Sequence, residues 1–202
     1  YVGSLPHPIP ILACHYHFLA DIGTDLLATG HDQLRALFRQ AQIVARLRAF
    51  VRHQGDRLGP ALAEGRDGFG RWLAAPHSGH RLPDARAGQT VVRSVAQWVL
   101  DYRADLTDAG FPFDVPALAL YDRCLQVVAA LRAFQRDPPT DRPVRASLDR
   151  LQQILRPVDC DVPPFASVSA TLSRRAGLFT ELRAALRLHT PHPAPAGQTD
   201  LD

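Results

Sequence analysis

Ile9 to Gly30 reads IPILACHYHFLADIGTDLLATG. It begins extended and apolar, with Ile9, Ile11 and Ala13 alternating against Pro10, Leu12 and Cys14. Proline is tolerated at the start or edge of a strand, so a short strand is expected at 9–14. The period then changes. Phe18, Ile22 and Leu26 recur at helical spacing, with Leu19 and Leu27 beside them, and Gly30 is the expected stop. Everything after this stretch repeats the pattern of helix, turn, helix. The expected fold is therefore all-α, a bundle of about six main helices with a short strand-like segment at its N-terminal end.

Working outward, Asp32 is an expected N-cap, and Leu34, Leu37, Phe38, Ala41, Val44, Leu47 and Val51 form a long apolar stripe ending near Gly55. Seven glycines and Pro60, Pro76 and Pro83 lie within 55–88, which predicts irregular backbone with short helical turns at 61–64 and 70–75. A helix is expected over 89–109, burying Val91, Val95, Trp98, Tyr102 and Leu106 and closed by Gly110. Asp114 is placed to cap the next helix, which runs to about Arg136 with Leu118, Tyr121, Leu125, Val128 and Leu131 inward. Two more helices are expected, over 142–155 with Val144, Leu148, Leu151 and Leu155, and over 166–188 with Leu172, Leu178, Phe179, Leu182 and Leu186. The chain divides into a strand-to-helix segment at 1–30, a helical domain at 31–188 and a disordered tail at 189–202.

At 202 residues, with 46% hydrophobic and 21% charged side chains, the chain has the length and balance of a globular domain with a real core. No apolar run approaches the roughly 20 residues that span a bilayer, so no membrane span is expected. The opening YVGSLPHPIP has no basic region of the kind that starts a signal peptide and reads as a cut edge, which suggests a fragment of something longer. All 23 basic residues are arginine, Lys, Asn and Met are absent, and the only Glu are Glu64 and Glu181. That bias reflects GC-rich codons, so the arginine count alone says little about nucleic acid. The net charge of +3 is mild. Three dispersed cysteines, Cys14, Cys124 and Cys160, make no disulfide framework and fit a reducing, cytoplasmic setting.

The chemically capable side chains gather in the opening stretch. Cys14 and His17 are two metal ligands at Cys-x-x-His spacing, with His15 between them, yet zinc needs four ligands or three and water. A Cys–His nucleophile pair has the same spacing but no orienting group. The commoner outcome for such a pair is a packed cysteine and a hydrogen-bonded histidine at a strand-to-helix junction. Asp21 with Asp25, and Asp101 with Asp105, lie one helical turn apart, an arrangement more often solvated than metal-binding. Walker A, GxGxxG, HExxH and GxSxG motifs are absent. Arg35, Arg39 and Arg46, with Arg48 and Arg52, share one predicted helix and can track phosphates; a solvated arginine face is the competing reading.

An apolar strand, then Cys14-x-x-His17, then an amphipathic helix with Phe18, Leu19, Ile22 and Leu26, then a long helical region: this order resembles DDE transposases of the Mutator-like kind and related bacterial insertion-sequence enzymes. The motif-bearing match covers about residues 9–30. The resemblance implies an all-helical insertion into a ribonuclease H-like core that cleaves and joins DNA with two Mg²⁺ ions held by three carboxylates. It implies that both catalytic Asp precede residue 1 and that the Glu follows the insertion, with Glu181 the one late candidate. The segment alone is then catalytically incomplete and binds no cofactor of its own. Its expected role is DNA binding or self-association, with Cys14 and His17 as motif residues. The alternative is a self-standing helical module that binds a protein partner.

Overall fold

The computed structural model describes residues 15–74, 87–136 and 139–186. Among these residues the fold is all-helical, with six α-helices and no strand. They are α1 (His15–Gln40), α2 (Ile43–Ala74), α3 (Ala87–Leu100), α4 (Pro116–Arg136), α5 (Arg142–Asp159) and α6 (Phe165–Ala185), with a 3₁₀ turn at Tyr102–Asp105. The expected strand at 9–14 and the tail at 189–202 lie outside the described residues.

The first two helices break where the glycine rule did not expect it. α1 continues through Gly30 and Asp32 to Gln40. A helical glycine costs about 1 kcal/mol relative to alanine, so it persists where packing needs the space. Here α6 uses that space: a Cβ on Gly30 would sit 3.2 Å from Leu172 Cδ1, and one on Gly23 2.5 Å from Phe179 Cζ. Asp32 is no cap; its carboxylate meets the Arg35 guanidinium at 3.4 Å, one turn along the same helix. The chain turns instead at Ala41–Gln42, where Gln42 adopts the left-handed conformation (φ 54°) and its N–H donates to Arg39 O at 3.0 Å.

Over 55–74, α2 replaces the irregular backbone expected there; residues 75–86, the remainder of that stretch before α3, lie outside the described residues. The 32 residues of α2 run through Gly55, Gly59 and Pro60 to Ala74. The buried face of α1 is Leu19, Leu27, Leu34 and Phe38, while Phe18 is half exposed; the true stripe lies one residue from the expected one. The same offset occurs in α3. Val92, Ala96 and Val99 are buried, whereas Val91 and Trp98 face outward. Adjacent Val91 and Val92 begin two apolar stripes, and the helix buries the one with smaller side chains. This brings α3 close to α2 and α5: a Cβ on Gly88 would lie 2.6 Å from Val144 Cγ2.

α3 stops at Leu100, well short of 109. Arg123 of α4 explains the stop. Its buried guanidinium donates to the Trp98 carbonyl and to Asp105 Oδ2, taking an acceptor that a continuing helix would use and fixing the 3₁₀ turn beyond it. The ring of Trp98 lies under the same cation, 4.6 Å from Cζ. In α4, Ala117, Leu120, Tyr121, Cys124, Val127, Val128 and Leu131 are buried, and Leu125 is outside. In α5, Leu151, Ile154, Leu155 and Val158 are buried; in α6, Phe165, Leu172 and Phe179 are, while Leu178 and, just past the helix, Leu186 are exposed.

α1 packs along α6, α2 along α3 and α4 along α5, and one continuous hydrophobic core joins them. Phe165 sits at its centre, edge-on to Phe38 at 5.0 Å and stacked with Tyr121 at 6.2 Å. Asp141 caps α5 through Val144 N at 3.0 Å. That helix passes Pro157, which has no N–H to give to Gln153 O. Arg46 from α2 supplies the donor, its guanidinium reaching Gln153 O at 3.3 Å. No helix among the described residues is long and apolar enough to cross a membrane.

Candidate functional site

Of the expected motif, Cys14 lies outside the described residues. His17 is exposed in the first turn of α1, edge-on to Tyr16 with ring centroids 5.8 Å apart. Tyr16 stacks on Phe113 at 4.9 Å, so this end of α1 is docked by aromatic contact. Cys124 offers little nucleophilic chemistry, because burial pushes its thiol up to about 12; Cys160 is free and exposed. Among the described residues, no group of three His, Cys, Asp or Glu side chains gathers as a metal site. Asp21 and Asp25 are exposed, Asp101 accepts from Gln97 Nε2 at 2.8 Å, and Asp105 is held by Arg123, whose hydrogen bond keeps its carboxyl below the usual range. The resemblance puts the two catalytic Asp that would hold Mg²⁺ before residue 1, outside this chain.

The arginines give a clearer geometry. A cleft of about 740 Å³ opens between the C-terminal part of α1, the start of α2, the 102–114 segment and the N-terminal end of α4. Arg35 and Arg39 enter from α1 one turn apart, Arg48 from α2 and Arg103 from the 3₁₀ turn. Phe38, Ala117 and Leu120 form apolar lining, and all three are buried. The positive end of the 21-residue α4 adds to the cationic field. Two carboxylates also line the cleft, Asp108 and Asp114. Asp114 is already occupied: it accepts from Thr107 N at 3.0 Å, Thr107 Oγ1 at 2.7 Å and Gly110 N at 3.2 Å. Burial pushes its pKa up, but those bonds outweigh burial and leave it lowered, so Asp114 stays ionised while it pins the loop. It serves the loop and not, as its sequence position suggested, the cap of α4.

His31 also lines the cleft and is 8% exposed. Its ring stacks on Phe111 at 4.7 Å with 18° between planes, and its buried Nε2 has no hydrogen-bond partner. Burial first, and Arg35 second, lower its pKa against a small opposing pull from Asp32. His31 is thus a neutral ring at neutral pH.

The structure brings expected residues Arg35 and Arg39 together and sets Arg46 apart, on the α5 carbonyl left by Pro157. It adds Arg103, His31 and Phe111. The spacing His31, Arg35, Arg39 is a four-residue helical stripe visible in the sequence once α1 is read through Gly30. Arg103 gave no local signal. A smaller basic cleft of about 310 Å³ lies between α2, α3 and α5, lined by His53, Arg57, Arg142 and Arg150 with no Phe, Tyr or Trp in its lining.

No known protein family, curated protein or solved structure matches the chain.

Proposed function

We propose that this chain is a nucleic-acid-binding helical domain, and that it serves as the helical insertion of a DDE-type transposase, contributing DNA contacts without catalysing strand transfer itself. The observation that carries the binding function is the convergence of Arg35, Arg39, Arg48 and Arg103 from three separate elements on one cleft. A solvated arginine face needs no such convergence, whereas a polyanion needs several cations within reach of successive phosphates. The transposase assignment rests on the order of strand-like run, Cys14-x-x-His17 and helical region. In that setting the protein acts in the cytoplasm, Mg²⁺ is bound by the catalytic core, and self-association assembles the transposition complex.

Salt-dependent retention on DNA tests the binding function. Affinity that is absent at low salt, or unchanged as salt rises, overturns it. The flanking reading frame tests the transposase assignment: Asp-bearing strands upstream and a Glu-bearing helix downstream are expected, and a start codon just before Tyr1 with a stop just after Asp202 refutes it.

One feature favours a protein-interaction module instead. Phe18 on α1, Leu178 on the adjacent α6 and Leu186 just past its end are exposed apolar side chains. A partner helix packed there would protect them from solvent, and stable association in the absence of DNA would favour that reading.

A further inference from the structure

We propose that the arginine cleft takes single-stranded rather than duplex DNA, with one base stacked on Phe111. This rests on the nucleic-acid reading above and names its substrate. The shape argues first. A concave cleft of about 740 Å³ has the capacity of a small-ligand pocket. It accommodates a nucleotide or two, while a duplex is too wide to enter a cleft of that size and meets only its rim.

The aromatic side chains argue second. Phe111 is 37% exposed at the cleft. A lone exposed Phe is ordinary on a protein surface, but this ring is held. One of its sides is covered by the buried His31 ring in a near-parallel stack at 4.7 Å. Its loop is fastened by the three hydrogen bonds to Asp114, by Asp114 N donating to Gly110 O at 2.8 Å, and by the buried Pro112 that follows it. Gly110 supplies the left-handed turn (φ 77°) that sets the ring's approach. An aromatic platform fixed before binding loses little freedom when a base lands on it. Tyr102 lines the same cleft, with the Arg103 guanidinium 5.9 Å from its ring centroid. Cations for the backbone, interleaved with the exposed Phe111 ring and the half-buried Tyr102 ring for bases, are the arrangement by which proteins hold single strands.

The test uses the whole chain and fluorescence anisotropy with three ligands: labelled oligothymidylate of about 15 nucleotides, a mixed-sequence duplex of the same length, and inorganic polyphosphate as competitor. Wild type should bind the single strand more tightly than the duplex. Phe111→Leu keeps an apolar group over His31 and removes the ring. It should weaken single-strand binding by about five-fold or more and leave the duplex and polyphosphate affinities within about two-fold, the scatter expected where no interaction is lost. A 2-aminopurine base in the strand should be quenched by wild type, which keeps the proposal testable if the variant does not fold. Equal or tighter duplex binding, an unaffected Phe111→Leu variant, or an unquenched base overturns the single-strand proposal alone. If neither DNA nor polyphosphate binds, the nucleic-acid function fails with it.

Discussion

Replacing Arg39 by Gln should change how binding responds to salt more than it changes the fold. Arg39 is exposed on α1 and lines the cleft, so its loss should alter stability by no more than about 0.5 kcal/mol. Four arginines face the cleft. If each meets one phosphate, from the one or two nucleotides in the cleft and their immediate neighbours along the strand, counterion release gives a log–log salt slope of about −2.8 on a single strand, from roughly 0.7 per contact. Between about 50 and 200 mM salt the affinity should then fall about 50-fold. With Arg39→Gln three contacts remain, the slope becomes about −2.1, and the same salt change costs about 18-fold. Arg46→Gln is the matched control, because its guanidinium serves the Gln153 carbonyl and not the cleft. Anisotropy titrations at four or so salt concentrations resolve the difference. An Arg39→Gln slope equal to wild type, or an Arg46→Gln slope that falls as far, refutes the assignment of the cleft as the phosphate-binding surface.

Arg46→Gln should lower stability by about 1 kcal/mol, since the carbonyl that Pro157 leaves unpaired loses its donor; urea melts read this directly. Gly23→Ala should destabilise by about 1–3 kcal/mol, because its Cβ would meet buried Phe179 at 2.5 Å and Pro112 at 2.7 Å, whereas Gly177→Ala, with nothing within 4 Å, should stabilise α6 by up to about 1 kcal/mol. Equal melting shifts for the two would contradict the close α1–α6 contact. His31 has a pKa lowered from 6.5, so the unfolded chain takes up its proton first as pH falls. Stability should therefore decline as pH drops below about 6.5, and His31→Phe should flatten that decline; a wild-type profile identical to the variant's in this range would show that His31 does not titrate as described.

The helical class was legible because periodicity survives averaging over a helix, but helix ends and faces were not, for reasons that particular residues make plain. Glycine has two meanings that look alike in one dimension. Gly110 does sit at a turn with positive φ, whereas Gly23 and Gly30 lie inside α1 because α6 comes too close for a Cβ. Only the partner helix separates the cases, and it lies about 150 residues further on. The face of α3 was ambiguous for a similar reason: Val91 and Val92 start parallel stripes, and the choice belongs to α2 and α5.

The candidate site depends on the same long-range facts. Arg35 and Arg39 were foreseeable as a pair on one helix face, but an arginine pair becomes a binding surface only when other cations face it. That requires the turn at Gln42, which a non-glycine residue makes in the left-handed region, to fold α2 back and bring Arg48 to the cleft. It also requires Arg123 to take the Trp98 carbonyl and end α3 at Leu100, so that Arg103 leaves the helix and enters the cleft from a 3₁₀ turn. Arg46 shows the converse. Two residues before Arg48 and equally basic, it is drawn to a carbonyl exposed by a proline more than a hundred positions away. Whether a given arginine binds a ligand or completes the fold is thus decided by which backbone acceptors the rest of the chain leaves unpaired, and charge patterning along one helix carries no record of those acceptors.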